Sequence, residues 1–395
     1  MEYRFSQSIS SLKPSAIREI LKNTAGTNTI PFSAGNPAPE AFPCAALQKI
    51  SDNLFSENPV AALQYSITEG YSPLRDFAKE LMIKSDSFSG GDDILITSGA
   101  QQAINLSCKI FANEGDALIC EAPTFIGSLN AFRANGLRLV GIPMESDGID
   151  IDKLETALLK NQKVKLIYVI PNFQNPSGIT MSLEKRRAVY SLAHKYDKII
   201  IEDNPYGDLR FAGKELPNIK SFDRDGRVIY CGSFSKVLAP GLRVGYACAD
   251  KEIISKLTVA KQTSDVHTNI WAQIVTHRFF QEFDYAKHTS SLSRIYEKKC
   301  RLMLDNLNFS MPESISFTSP EGGLFIWATL PESADMPEFC KAAAANGVAV
   351  VPGSAFMVDE GSPCASFRLN YSTPTDEQIV KGVEILSKVA IDLGF

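Results

Sequence analysis

From about residue 46 the chain alternates short apolar runs with segments whose apolar positions recur at helical spacing. LRDFAKELMIKS is amphipathic at that spacing, and DILITSG follows as a strand ending in a turn. AQQAINLSCKIFANEG predicts a helix closed by Gly115, and DALICEAP predicts the next strand. GSLNAFRANG with LRLVGIPM, IDKLETALLKN with KLIYVIPN, and LEKRRAVYSLAHKYD with KIIIEDNPYG repeat the alternation before RVIYCGSFS. Strands apolar throughout, separated by helices of about 10–15 residues, predict a mostly parallel sheet covered on both faces.

Beyond about residue 285 the texture changes. SSLSRIYEKKCRLMLDNLN reads as one long charged helix, and the segments SISFTSPEGGLFIWATLP, FCKAAAANG, VAVVPGSAF and SFRLNYS precede a closing helix, TDEQIVKGVEILSKVAIDLG. This predicts a smaller α+β domain. The expected division is an N-terminal arm and part of the small domain at 1–45, a large domain at 46–285 and a small C-terminal domain at 286–395.

Composition narrows the function classes. With 395 residues, 44% hydrophobic and 22% charged, the chain has an ordinary soluble balance and length for two domains. A net charge of −5 leaves no basic footprint for nucleic acid or an anionic membrane. No apolar run approaches the roughly 20 residues of a membrane helix, and MEYRFSQSISSLKPSAIREI has no apolar core of a secretory signal. The eight cysteines are scattered without a C-x-x-C pair, as expected for reduced cysteines in a cytoplasmic, metal-free protein. His194, His267, His277 and His288 stay open as individual ligands.

The candidate chemistry lies at strand ends, where ligands bind in open α/β sheets. In ILITSGAQQAI, Ser98, Gly99, Ala100 and Gln101 lead straight into a helix, whose free N–H groups and positive dipole end suit a phosphate. The same residues also make an ordinary turn with a serine cap. Asn175, in YVIPNFQNPSG, follows a strand and could donate to a ring oxygen or form an Asx-turn. Glu202 and Asp203 end a strongly apolar strand, where a carboxylate needs a partner such as a protonated pyridine nitrogen or a nearby turn. Tyr206 shares that turn. In GSFSKVLAPGLRVGY, Lys236 stands among small and hydroxylated residues on what reads as a strand-to-helix loop, with Ser233, Ser235 and Arg243 as a second phosphate set. A phosphate, a basic ring nitrogen, a ring hydroxyl and an aldehyde for the lysine together describe pyridoxal 5'-phosphate.

From end to end the chain resembles the fold-type I, class I/II pyridoxal-phosphate aminotransferases. The segments that carry the resemblance are FSAGNPAPEAFP, LQYSITEGYSPLRDFAKEL, ITSGAQQAI, PNFQNPSG, EDNPYGDLRF, GSFSKVLAPGLRVGY, PEGGLFIWATLP and FRLNYS. It is most similar to the 2-aminoadipate/kynurenine aminotransferase-like branch, which also supplies C-terminal domains of GntR-type regulators. The resemblance implies a large domain built on a mostly parallel seven-stranded sheet. It implies that Lys236 bonds the cofactor aldehyde, that Asp203 keeps the pyridine nitrogen protonated and that Asn175 and Tyr206 address the ring hydroxyl. Gly99, Ala100, Gln101, Ser233, Ser235 and Arg243 would surround the phosphate, with Ser98 beside them, and Phe125 would stack on the ring. Arg368 would clamp the substrate α-carboxylate, helped by Gly35 and Asn175, and Arg18 would meet a distal carboxylate. Tyr65 would reach the phosphate of a partner subunit, which implies a homodimer with shared active sites. The implied reaction moves an amino group from an acidic or aromatic L-amino acid to a 2-oxo acid, in the family usually 2-oxoglutarate, by ping-pong kinetics. A β-eliminating lyase shares the lysine chemistry, and a non-catalytic amino-acid sensor is the third reading.

Overall fold

The computed structural model describes residues 3–10, 12 and 29–395; Arg18 lies outside the described residues. The main sheet contains β1 (Asp92–Thr97), β2 (Ala117–Ala122), β3 (Arg138–Glu145), β4 (Gly148–Ile149), β5 (Val164–Val169), β6 (Ile199–Asn204), β7 (Val228–Ser233) and β8 (Gly245–Asp250) in the order β1-β8-β7-β6-β5-β2-β3-β4. From β7 to β3 every neighbouring pair is parallel. β8 runs antiparallel to both of its neighbours. The two-residue β4 folds back on the β3 edge, adding an eighth, minimal strand to the seven expected.

Burial on both faces explains why these strands are apolar throughout. Leu118, Leu166, Ile201 and Ile229 enter one apolar cluster, while Ile119, Ile167, Ile200 and Val228 enter the other. Alternate side chains of a strand point to opposite faces, so one apolar run fills two cores. Each fully buried aliphatic side chain contributes roughly 1.5–3 kcal/mol.

One expectation fails here. Lys236 does not lie on a strand-to-helix loop but on a strand-to-strand connection between β7 and β8. The chain makes one turn, with Leu238 N–H donating to the Phe234 carbonyl at 2.8 Å. Pro240 then disfavours continuation of a helix. The apolar run from Val244 to Ala249 returns as β8, and Arg243 comes back toward the start of the helix Ala100–Phe111.

The second sheet is antiparallel, with β9 (Ser316–Phe317), β10 (Phe325–Thr329), β11 (Val351–Pro352) and β12 (Ser366–Asn370) in the order β11-β12-β10-β9. The helices Tyr285–Ser310 and Asp376–Asp392 pack together beside it. Residues 30–36 lie along β12, with Asn370 N–H donating to the Phe32 carbonyl at 2.9 Å. Among the described residues no helix is long and apolar enough to cross a membrane, and no three His, Cys, Asp or Glu side chains group so as to hold a metal ion.

Candidate active site

A cavity of about 920 Å³ opens beyond the carboxyl ends of β5, β6 and β7, with Phe325 and Arg368 of the second sheet on its far wall. Its lining includes Gly35, Ala100, Gln101, Phe125, Asn175, Asp203, Tyr206, Ser233, Ser235, Lys236, Arg243 and Arg368. These residues come from sequence positions more than 300 apart, and the sheet order brings them together.

Strand parity settles which of two adjacent acids faces the cavity. Glu202 takes the face of Ile200, where its carboxylate accepts from Ile219 N–H at 2.8 Å and Lys220 N–H at 2.7 Å. Asp203 takes the face of Ile201 and lines the cavity. Its Oδ2 accepts from the Tyr168 hydroxyl at 2.6 Å, whereas Oδ1 is buried with no hydrogen-bond partner. Burial pushes this carboxyl up to about 7, against the pull of the Tyr168 hydroxyl. A buried carboxylate oxygen without a partner calls for a donor or a cation.

Lys236 is half-buried, and its Nζ donates to the Gly35 carbonyl at 2.8 Å. Burial, and then the positive charges of Arg368 and Arg243, bring its ammonium down to about 8. The amine is therefore neutral far more often than that of a solvated lysine. Asn175 joins two sides of the site: its Nδ2 donates to the Tyr206 hydroxyl at 3.3 Å, and its Oδ1 accepts from Arg368 Nη1 at 2.9 Å. Arg368 is buried, with Nη2 on the carbonyls of Ser33 and Ala34 at 2.9 and 3.0 Å. Its guanidinium lies 4.2 Å from the Phe325 ring centroid and 5.0 Å from that of Phe356. None of these partners is a carboxylate, so the buried cation keeps its charge for a ligand.

At the other end, no side chain caps the helix Ala100–Phe111, and its first residues, Ala100 and Gln101, line the cavity beside Arg243. Gly99 precedes it at φ +77, a conformation glycine adopts without strain. A Cβ on Gly99 would also fall 2.6 Å from Arg243 Nη2. The guanidinium thus packs directly on the turn, and Arg243 Nη2 donates to the Ser98 carbonyl at 3.3 Å. Gly127 has a similar role, because a Cβ there would sit 2.6 Å from the Phe125 ring that walls the cavity.

Of the expected residues that are described, Ser98, Gly99 and Tyr65 are not in the cavity lining, Gly99 serving the turn beside it. The Ser98 hydroxyl turns away and donates to Asp265 Oδ2 at 2.8 Å. Tyr65 is 82% exposed, with its ring edge-on to His267 at 5.9 Å. The sequence reading missed Tyr168 and Ser128, whose hydroxyl donates to the Tyr168 oxygen at 2.9 Å. The available signal was a tyrosine inside an aliphatic strand, since a buried phenol needs a partner.

A ligand with an anion at the helix end, a basic ring nitrogen at Asp203 and a carbonyl carbon near Lys236 would satisfy the cavity. A carboxylate beyond it would meet Arg368. The orphaned Asp203 oxygen and the uncapped, glycine-lined helix start both fit that demand.

Residues 27–386 match the family model described as aminotransferase class I and II. The aromatic-amino-acid aminotransferase 1 of Thermococcus litoralis is 39% identical over 392 residues, covering 98% of this chain and 94% of that one. Among solved structures, the Pyrococcus horikoshii kynurenine aminotransferase, in complex with PMP, superposes with a TM-score of 0.94 at 37% identity, covering 98% of this chain and 97% of that one. The alpha-aminoadipate aminotransferase LysN of Thermus thermophilus, complexed with N-(5'-phosphopyridoxyl)-L-leucine, gives a TM-score of 0.90 at 35% identity, with 98% and 97% covered.

Proposed function

We propose that this chain, which belongs to the class I and II aminotransferases, works as follows on acidic or aromatic L-amino acids with 2-oxoglutarate as acceptor. It is a pyridoxal-phosphate-dependent enzyme whose substrates are amino acids and 2-oxo acids. One observation carries the assignment of roles: the Lys236 amine, the unpartnered Asp203 oxygen and the acid-free Arg368 guanidinium line a single cavity.

Bound pyridoxal phosphate supplies an aldehyde that accepts amino groups and a ring that delocalises electrons left at the substrate Cα. In our reading Ala100, Gln101, Ser233, Ser235 and Arg243 hold the phosphate, with Gly99 keeping the turn open. Asp203 holds a proton on the ring nitrogen, and Tyr168 holds Asp203. Tyr206 and Asn175 face the ring oxygen, and Phe125 covers the ring. Arg368 orients the substrate by its α-carboxylate, with Asn175 and Gly35 beside it. Lys236, as a neutral amine, would take the proton from the substrate Cα. With its ammonium near 8 rather than about 10.4, the neutral fraction at pH 7 rises from below about 0.1% to about 10%. The acceptor reverses these steps, which makes the kinetics ping-pong.

Apolar walls from Ile104, Phe125, Ile126 and Phe325 support an aromatic or long side chain. Arg18 would supply the cation for an acidic one. A donor panel with 2-oxoglutarate tests this, read both as product and as the absorbance change of bound cofactor. Turnover is expected with 2-aminoadipate or an aromatic amino acid; turnover confined to alanine or valine would overturn the specificity.

The same reading includes a homodimer with shared sites, in the cytoplasm, built from the domains 1–45 with 286–395 and 46–285. Val60, Leu63, Tyr65, Ile67 and Val266 are each at least half exposed, apolar surface that a partner subunit would cover. All eight cysteines are free, which suits a reducing compartment. Leu63→Glu is expected to halve the sedimenting mass and to loosen cofactor binding. An unchanged dimer with unchanged cofactor affinity would place the interface elsewhere.

A further inference from the structure

Behind the helix start lies a buried ammonium that the mechanism does not use. Lys261, on the helix Lys251–Gln262, is fully buried, yet its Nζ faces four acceptor atoms. They are Gln102 Oε1 at 2.6 Å, Asp265 Oδ1 at 2.8 Å and Oδ2 at 3.0 Å, and Thr268 Oγ1 at 3.0 Å. All three acceptor residues also touch Ser98, Thr268 through a hydroxyl–hydroxyl contact of 3.2 Å. Gln102 Oε1 accepts from Ser98 N–H at 2.8 Å, and Asp265 Oδ2 accepts from the Ser98 hydroxyl at 2.8 Å. A further link closes the ring, Gln102 Nε2 donating to Asp265 Oδ2 at 2.9 Å.

We infer that Lys261 is a positioning residue for the phosphate end of the cofactor, acting through Gln102 and Asp265 on the Ser98–Gly99 turn. The inference rests on the reading that Arg243 and the start of the helix Ala100–Phe111 hold the phosphate. Ser98 has its amide and hydroxyl anchored to the Lys261 cluster and its carbonyl anchored to Arg243. Every polar group of the residue before Gly99 is thus fixed, and so is the direction of the N–H groups that follow. The ammonium and the Asp265 carboxylate cancel in charge, so the effect on a phosphate is one of geometry rather than of net field. Burial pulls the ammonium below its ordinary range while Asp265 pulls it back, an arrangement that is costly unless fully hydrogen-bonded. The next residue, Val266, adopts φ +66, a left-handed conformation that strains a β-branched side chain. Such strain persists where the surrounding contacts over-determine the chain, as the Asp265 clamp does.

The test titrates apo-enzyme with pyridoxal phosphate and with pyridoxal, which lacks the phosphate, and compares the affinity ratio. Lys261→Met is expected to weaken pyridoxal phosphate roughly 10- to 100-fold, as loss of an outer-sphere partner does at metal sites, while pyridoxal is held as before. Equal weakening of both ligands would reduce Lys261 to a general structural role and overturn the inference. Unchanged binding of both would overturn it as well. Arg243→Met separates the two levels. A collapsed ratio there with an intact one in Lys261→Met sinks the inference alone, and intact ratios in both sink the phosphate reading with it. Should Lys261→Met fail to fold, the double variant Lys261→Met/Asp265→Asn, which leaves no charge unpaired, decides on the same ratio.

Discussion

Lys236→Ala is expected to turn over substrate about 10⁴-fold more slowly than the wild type, at the upper end for loss of a general acid–base group. Among the described residues the other two cations lining the cavity are Arg243 and Arg368, neither of which gives up a proton near neutrality. The variant should still bind pyridoxal phosphate, because the helix start, Arg243 and Asp203 are untouched. Its absorbance should then be that of the free aldehyde. The wild type carries a matching pH signature. The neutral amine is the reactive form, so bonding of Lys236 to added cofactor should quicken about tenfold per pH unit up to about 8 and level off above. Wild-type-like turnover in Lys236→Ala would end the assignment of the lysine, whatever the pH profile.

Asp203→Asn should lower kcat on the order of 10³-fold, the scale of losing one preorganised electrostatic partner in a closed site. The substitution preserves shape and the Tyr168 contact while removing the negative charge. Burial pushes the Asp203 carboxyl up to about 7, against the pull of the Tyr168 hydroxyl on its Oδ2. A cationic ring nitrogen against the unpartnered Oδ1 would bring it back down and hold the carboxylate ionised. An asparagine cannot stabilise that cation. Single-turnover absorbance with a good donor measures the effect directly, and a rate within threefold of wild type would show that the ring nitrogen does not depend on this residue.

Much of the site was visible as residue types at strand ends, because the carboxyl end of a strand can be read from where its apolar run stops. Lys236, Asn175, Tyr206 and Arg243 all follow such runs and all line the cavity. Ser98 also follows one, yet its hydroxyl points to Asp265, 167 positions away. Tyr168 lies inside an apolar run, and its hydrogen bond to Asp203 exists only because β5 lies beside β6. Arg368 reaches Asn175 across 193 positions and two sheets.

Read alone, the chain determined its alternating strands and helices and the residue types offered to a ligand, because hydrophobic period and turn chemistry are local properties. Only the tertiary structure decided that β8 returns antiparallel, that Asp203 rather than Glu202 faces the cavity and that a buried lysine stands behind the Ser98 turn. Those outcomes depend on which strands and helices become neighbours, and that is set by the packing of both faces of the sheet at once, a constraint no single segment contains.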